Sequence, residues 1–524
     1  MARDGLRLER IGAAALFVAL FGQLCFGALR DGLTIDEVVY IACGYRSLTT
    51  NNHAMNEGYP PLAPALGALP LLALDVRRVE PRTGETLWPW AYRFLHVENR
   101  ATPLIVAARI PVIVITLALA FLVWRWTAAL AGPAAGLVAL GLYAFHPSLL
   151  AHGHLDTTDM PAAAAMALCS WAFWHWCRAP SARAAGLLGL ALGLALATRL
   201  TGALMLPVIA LLLAQHLYAA TDRRAAARES LRLAAIAAPV AALTLLASYG
   251  FSSQAFSWYR EAIRFQIEHN ATGHPAFLLG RFSNTGWRSY FLVAFAVKNT
   301  PGFLGAVGLG VAGAWLSRKT GSWAHAAVPA AIVFLAASLG HIQIGERYIL
   351  PVYPYLIVIA ASGLAALRSR PWLAPALALL LPFHAVPALR SAERGLLTYF
   401  NALGGGPYGG HRVLIDSNLD WGQDLPRLAR WMKENGVAKI QLGYHGSDDP
   451  ERVGIVHEDL AGAHLYVPKP AAEPFRGVVV VSPNLLSGAY DWTRDPYRAL
   501  RGFTPFAHVG ALEVFKFPEP DTRR

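Results

Sequence analysis

Two adjacent carboxylates, Asp36 and Glu37, lie in the segment GLTIDEVVYIACGYRSL, just past an apolar run that ends at residue 29. A carboxylate held partly out of water at a membrane surface gains proton affinity. Such a group suits removal of a proton from an acceptor hydroxyl while a phosphate leaves a sugar. The pair also reads as an ordinary helix start. Thr34 would be the N-cap, and the acids would fall in the first turn, where the helix dipole favours them. Taken alone, the pair fits the helix start better.

A second group of chemical residues is Asp156 and Asp159 with His146, His152 and His154, in HPSLLAHGHLDTTD. A carboxylate here could meet Asp36 across an outer cavity, either to bind an acceptor or to join histidines around a metal. A His-x-His pair falls short of the ligands zinc needs. The same residues also suit a capped helix start, with Thr158 or Asp159 ahead of Met160 and the helix-compatible Pro161; one aspartate can serve both ends. The third group is Arg199, Lys298 and Arg347, each at the end of an apolar run. Cations fixed there would stabilise charge growing on a leaving phosphate, arginine by its fork and lysine as a point charge. One such residue would be read as a snorkelling side chain. Three on one face, against the trend for basic residues to lie on the inside, favour function.

The elements that must position these residues are apolar. The chain has 524 residues, of which 55% are hydrophobic and 15% charged. Soluble domains carry about 25% charged residues, so much of this surface faces lipid. The net charge of +12 comes from arginines set between apolar runs, as expected for topology signals and anionic headgroups. No basic stretch is interleaved with aromatics, which argues against nucleic acid as a partner. Three of the four cysteines (Cys25, Cys43, Cys169 and Cys177) sit in apolar runs, so no disulfide framework is implied. The first apolar run is too long for a cleaved leader and reads as a retained signal anchor.

Helices able to cross a bilayer need about 20 apolar residues. Candidates are 11–29, 103–124, 131–150, 160–177, 184–198, 200–218, 232–250, 299–317, 323–340, 348–367 and 371–389, about eleven spans. Residues 60–75 are brief and contain four prolines, so they are expected to form a helix lying in the outer interface. With that choice every inside loop is short and basic: Arg3, Arg7 and Arg10; Arg125; Arg178 and Arg183; Arg223, Arg224 and Arg228; Arg318 and Lys319; Arg368 and Arg370. The N-terminus is then cytoplasmic, and everything after residue 390 is extracytoplasmic. Residues 1–395 are expected to form the membrane domain, with 30–102 its first outer loop. Further outer segments are 146–159 and 251–298. Residues 400–524 are expected to form a small α/β domain. Its strands would be HRVLID, KIQLGYH, GVVVVS and ALEVFKF, and LPRLARWMKENG an amphipathic helix closed by Gly436.

These segments carry a resemblance. DEVVYIACGYRSL followed by NEGYPPLAPALGALPLL resembles the first outer loop of bacterial glycosyltransferases similar to protein O-mannosyltransferases, which use phospholipid carriers and belong to the GT-C superfamily. Matching strings follow in order: HPSLLAHGHLDTTD, ATRLTGAL, HPAFLLGRFSNTGWRSYFLVAFAVKNTP, GERYILPVYPYL, DSNLDWGQDLPRLARWMKENG and YHGSDDPERVGI. They cover most of residues 30–460. The resemblance implies a GT-C fold, a polyprenyl-phosphate-sugar donor and inversion at the sugar. It implies Asp36 as base with Glu37 in support, and Asp159 as a second carboxylate. Arg199, Lys298 and Arg347 would hold the donor phosphate, and His152 would help shape the site. A divalent metal is optional for such enzymes, and no other cofactor is implied. Four positions depart from the pattern. Tyr59 stands where relatives carry a basic residue or histidine, Arg199 replaces a lysine, Asn299 is inserted in the KTP string, and Tyr348 replaces a histidine.

The sequence therefore describes a polytopic protein of a bacterial inner membrane. Its expected activity is transfer of a hexose or pentose, with mannosyl transfer as the family example, to an extracytoplasmic protein, lipid or glycan of the cell envelope. A transporter or flippase of lipid-linked glycans is the main alternative. Transporters place charges near the midplane and often show inverted repeats; here the charges gather at the outer ends and no repeat is visible. A catalytically inactive assembly or receptor protein that binds through its tail is the third reading.

Overall fold

The computed structural model describes residues 2–317, 323–462, 475–490 and 495–518, with side chains from residue 9 onward. Arg318 and Lys319, assigned above to an inside loop, lie outside the described residues, as do the side chains of Arg3 and Arg7.

Each of the eleven apolar runs is helical over most of its length. Five helices are long and apolar enough to cross a membrane: Glu9–Arg30, Ala101–Ala131, Leu200–Ala219, Arg223–Ser248 and Leu373–Ser391. The pair Tyr290–Lys298 and Pro301–Ser317 adds a sixth if taken as one broken span; it bends by 114° at the intervening residues. Pro301 causes the break, because it lacks an N–H and disfavours helix in the residue before it. Ala182–Thr198, Ala324–Leu339 and Val352–Ala366 are shorter apolar helices, and Leu62–Ala73 is another, in the proline-rich stretch. The run expected at 131–150 is interrupted. Helix Pro133–Ala144 ends at Phe145, and a separate turn, Pro147–His152, follows. Pro147 again sets the break, and His146 Nδ1 caps the new turn by accepting from the Leu149 amide at 3.4 Å.

The membrane helices share one large core, which the tail joins through Leu414, Leu419 and Trp421. A second core lies under residues 30–102 and packs Glu37–Thr50 and Leu62–Ala68 against the start of Ala101–Ala131. Its close fit includes Gly67, where a Cβ would fall 2.0 Å from the Asp156 carboxylate.

Outside the helices are two sheets. Strands β1 (Ala276–Leu278) and β2 (Arg281–Ser283) form an antiparallel hairpin. The tail sheet comprises β3 (Ile440–Gly443), β4 (His457–Asp459), β5 (Val478–Val481), β6 (Ala507–Val509) and β7 (Leu512–Lys516), in the order β4-β3-β5-β7-β6. The first three strands of that order are parallel and the last two antiparallel to their neighbours. Alternation sorts its faces. Val480 and Val514 pack under helix Leu425–Glu434 with Leu425 and Leu428, while Val479, Val481 and Phe515 face a second cluster with Leu500. Gly436 follows the helix at φ +65°, as a residue without Cβ can.

HRVLID is not a strand, contrary to the sequence expectation. It forms 3-10 turns between Gly410 and Asn418, and Leu414 and Ile415 bury against helix ends and Phe277 instead of pairing in the sheet. The Val413 carbonyl accepts from the Leu279 amide at 3.0 Å, which ties this segment to the β1–β2 hairpin.

Candidate active site

Asp36, Asp159, Arg199 and Arg347 come from four separate segments at one end of the helix bundle. Asp36 follows the end of Ala2–Arg30, and Asp159 begins Asp159–Arg178. Arg199 ends Ala182–Thr198, and Arg347 sits in the 3-10 turn Glu346–Ile349. Asp36 is the N-cap residue of Glu37–Thr50, yet its side chain makes no capping bond. Its Oδ2 instead accepts from Arg347 Nη1 at 2.6 Å. Asp159 likewise makes no capping contact and accepts a hydrogen bond from Arg199, with its other oxygen 3.9 Å from Arg347. Neither acid is explained as a helix cap. The four form a balanced cluster of two acids and two guanidinium groups.

Aromatic rings fix the cations. The Arg347 guanidinium lies 4.2 Å from the centre of the Trp421 ring, and Arg199 lies 5.0 Å from that of Tyr348. Arg347 Nε is buried and has no hydrogen-bond partner among the described residues. An unmet charged donor at this position costs free energy unless a ligand meets it.

The cluster opens into a cavity of about 860 Å³. Asp36, Tyr40, Tyr59, Arg199, Arg347 and Tyr348 line it near the charges, with Tyr40 and Tyr59 edge-to-face at 5.0 Å. One flank is apolar and carries Met166, Leu204, Val333 and Ala337 from the helices. The tail contributes Asp416, Trp421, His445 and Tyr490, and helix Ala255–Thr272 contributes Phe265 and His269.

The structure gives Glu37, Lys298 and His152 other surroundings. Glu37 is fully buried and faces away from the cavity. Its two oxygens accept from Arg109 Nε at 2.8 Å and Nη2 at 2.7 Å, from the Asp156 amide, and from Thr34. Burial pushes the Glu37 carboxyl up; the Arg109 guanidinium and the amide bonds outweigh it, so the group is held below its ordinary value. Lys298 does not line the cavity. Its ammonium donates to the Leu397 carbonyl at 2.7 Å and the Asn418 carbonyl at 2.5 Å, at the elbow of the broken helix. His152 is buried with its ring 5.9 Å from Trp421. His146 caps its turn, and His154 pairs with Asp31 at 2.9 Å. Among the described residues no three histidine, cysteine or acidic side chains converge as a metal site.

The string DSNLDWGQDL joins the tail to both loops that carry the charges. The Ile35 amide donates to the Trp421 carbonyl at 2.9 Å, and the Gly32 amide to the Gln423 carbonyl at 2.8 Å. On the other loop, the Glu346 amide donates to Asn418 Oδ1 at 2.8 Å, and Ser417 Oγ to the Ile344 carbonyl at 2.6 Å. Asp36 and Arg347 are thus set opposite each other through one segment of the tail.

Residues 102–248 match the family described as dolichyl-phosphate-mannose-protein mannosyltransferase. The crystal structure of ArnT from Cupriavidus metallidurans in the apo state superimposes with a TM-score of 0.51 at 16% identity, covering 98% of each chain. The chain has the GT-C fold and resembles the protein O-mannosyltransferases. ArnT from the same organism bound to undecaprenyl phosphate gives a TM-score of 0.48, also at 16% identity and 98% coverage of each chain. The Pmt1-Pmt2 complex of S. cerevisiae bound to the sugar donor gives 0.37 at 18% identity, covering 47% of this chain and 34% of that one. No curated protein matches the sequence.

Two features of this GT-C chain escaped the sequence reading. Arg109 was a visible signal, being the one charged residue in the apolar run 103–124; an ion at that depth needs a partner, and Glu37 is that partner. Asp416 and Trp421 lay inside a recognised string, but nothing local shows that they reach the same cavity as Asp36.

Proposed function

We propose that the protein transfers a sugar from a polyprenyl-phosphate carrier to an extracytoplasmic acceptor, with inversion at the sugar carbon. The observation that carries the reading is the Asp36–Arg347 contact inside a cavity with one apolar flank. The prenyl chain lies along Met166, Leu204, Val333 and Ala337. The phosphate replaces the Asp36 contact on Arg347, meets Arg347 Nε and pairs with Arg199, which keeps its bond to Asp159. Asp36, released from Arg347, then accepts the acceptor's hydroxyl proton. The acceptor oxygen bonds to the anomeric carbon, the bond from that carbon to the phosphate oxygen breaks, and its electron pair leaves with the polyprenyl phosphate. The growing charge falls beside two fixed guanidinium groups, where it is stabilised most. Asp159 holds Arg199 in place. No step requires a metal.

The solved ArnT bound to undecaprenyl phosphate and the yeast complex bound to its sugar donor support the donor class. The arginine pattern supports a cytoplasmic N-terminus and an extracytoplasmic tail in a bacterial inner membrane. A transporter would need the cavity to open towards both ends of the bundle, whereas its polar residues gather at one end.

The test is turnover by purified protein in lipid nanodiscs with a panel of polyprenyl-phosphate hexoses and pentoses, alongside mass analysis of envelope glycoconjugates after deletion. Release of polyprenyl phosphate from one donor, and loss of one glycan from the deletion strain, are expected. Passage of intact donor across a vesicle bilayer without cleavage would favour the transporter.

A further inference from the structure

The tail wall of the cavity holds polar residues that the proposed chemistry does not use. We infer that Asp416, His445 and Tyr490 form a subsite that reads the ring hydroxyls of the sugar on the donor. This rests on the transferase reading and adds what selects the sugar.

Asp416 has φ +61°. Left-handed backbone is uncommon for a residue with a side chain, and aspartate and asparagine tolerate it best. Such conformations persist where the surroundings hold them, often at ligand sites. Here the surroundings are specific. The Asp416 amide donates to Asn484 Oδ1 at 2.7 Å, its Oδ1 accepts from the Ser417 amide at 2.5 Å, and its Oδ2 accepts from the Tyr490 hydroxyl. Each carboxylate oxygen keeps a further acceptor site.

The hydrogen-bond chain also fixes His445. Asn484 Oδ1 receives the Asp416 amide, so its nitrogen is the donor to the Asp420 carbonyl at 2.7 Å and to His445 Nδ1 at 2.9 Å. Nδ1 accepts, which leaves the proton on Nε2. Burial holds this imidazole down at about 4, so it is neutral near pH 7. The wall therefore offers a carboxylate acceptor, an imidazole N–H donor and a phenol, with the His445 and Tyr490 rings 4.7 Å apart. A hydroxyl both donates and accepts, and a ring with neighbouring hydroxyls matches this set.

Position selects the donor sugar as the occupant. The lining runs from apolar helices through Arg199 and Arg347 to the tail, where Trp421, 4.2 Å from the Arg347 guanidinium, shares the wall with Asp416, His445 and Tyr490. The ring bonded to the phosphate is the first group beyond those guanidinium groups.

The experiment compares polyprenyl phosphate with polyprenyl-phosphate hexoses and pentoses for binding to full-length protein in nanodiscs. It uses Asp416→Asn, which suits the left-handed backbone, Tyr490→Phe and His445→Gln. Wild type should bind one glycosylated donor more tightly than polyprenyl phosphate. The variants should keep polyprenyl phosphate affinity within about 2-fold and lose about 10-fold or more of the gain from the sugar. Discrimination between epimeric donors should narrow. Wild-type gains retained by Asp416→Asn and Tyr490→Phe, equal losses for both ligands in the variants, or no gain from any sugar in wild type would each overturn the inference, while wild-type binding of polyprenyl phosphate would still stand. Failure of wild type to bind polyprenyl phosphate would overturn the transferase reading and this subsite with it.

Discussion

Asp36 and Arg347 are 311 residues apart in the chain, and their side chains meet at 2.6 Å. The acid and the cation hold each other until something displaces one of them. In the proposed mechanism a phosphate that takes Arg347 also frees Asp36, so donor binding and base release are one event. Arg347→Lys keeps the charge and loses the fork and the stacking on Trp421. It is expected to weaken donor binding about 10-fold, and Arg347→Ala by more, in titrations with polyprenyl phosphate. Unchanged affinity in both would place the phosphate elsewhere.

Glu37 is expected to matter for folding. Its bond to Arg109 is wholly buried, and loss of one partner leaves an uncompensated charge worth about 3–5 kcal/mol. Glu37→Gln should lower the thermal midpoint in detergent and reduce yield, while the folded fraction keeps its affinity for polyprenyl phosphate. A Glu37→Gln protein with wild-type stability and no turnover would instead make Glu37 part of the chemistry.

Lys298 is expected to act on the junction between helix and tail. Lys298→Met removes donors to the Leu397 and Asn418 carbonyls. Protease sensitivity of the segment around residue 418 should rise, with polyprenyl phosphate affinity changed less than about 3-fold, well short of the loss at a direct charged contact. A larger loss of affinity with an unchanged cleavage pattern would return Lys298 to the phosphate site.

The tail has a pH dependence of defined sign. Burial, then the charge of Asp424, pushes the Asp420 carboxyl up to about 7; burial pushes Asp424 up to about 6 despite Arg427. The native state therefore holds protons that the unfolded chain releases above its ordinary 3.8. Stability contributed by Asp420 is present below 3.8, falls as pH rises to about 7 and is level beyond. Asp420→Asn keeps the shape and should flatten that slope in thermal unfolding followed from pH 4 to 8. A variant as steep as wild type would assign the slope to other groups.

Much of this was legible before the structure. Long apolar runs between arginines marked the helices, and β-branched and aromatic residues in KIQLGYH, GVVVVS and ALEVFKF marked three of the strands. The failures have local causes. Pro147 breaks the run 131–150, which composition alone reads as continuous; the helix Tyr290–Lys298 falls in a stretch expected to be loop; and HRVLID carries strand-like residues that bury outside the sheet. For the candidate site, residue type and placement at helix ends singled out Asp36, Asp159, Arg199 and Arg347, which the structure brings together. Glu37 and Lys298 have the same types and placement. Only three-dimensional packing shows Glu37 turned to Arg109 and Lys298 turned to backbone carbonyls.

The most direct measurement is single-turnover transfer by Asp36→Asn from the donor that wild type uses, with donor affinity measured on the same preparation. Asparagine keeps the size and cannot take the proton. A transfer rate lower by about 10²–10⁴-fold is expected, with donor binding retained or tightened because Arg347 is no longer shared. Transfer at the wild-type rate by a folded, donor-saturated Asp36→Asn protein would contradict it.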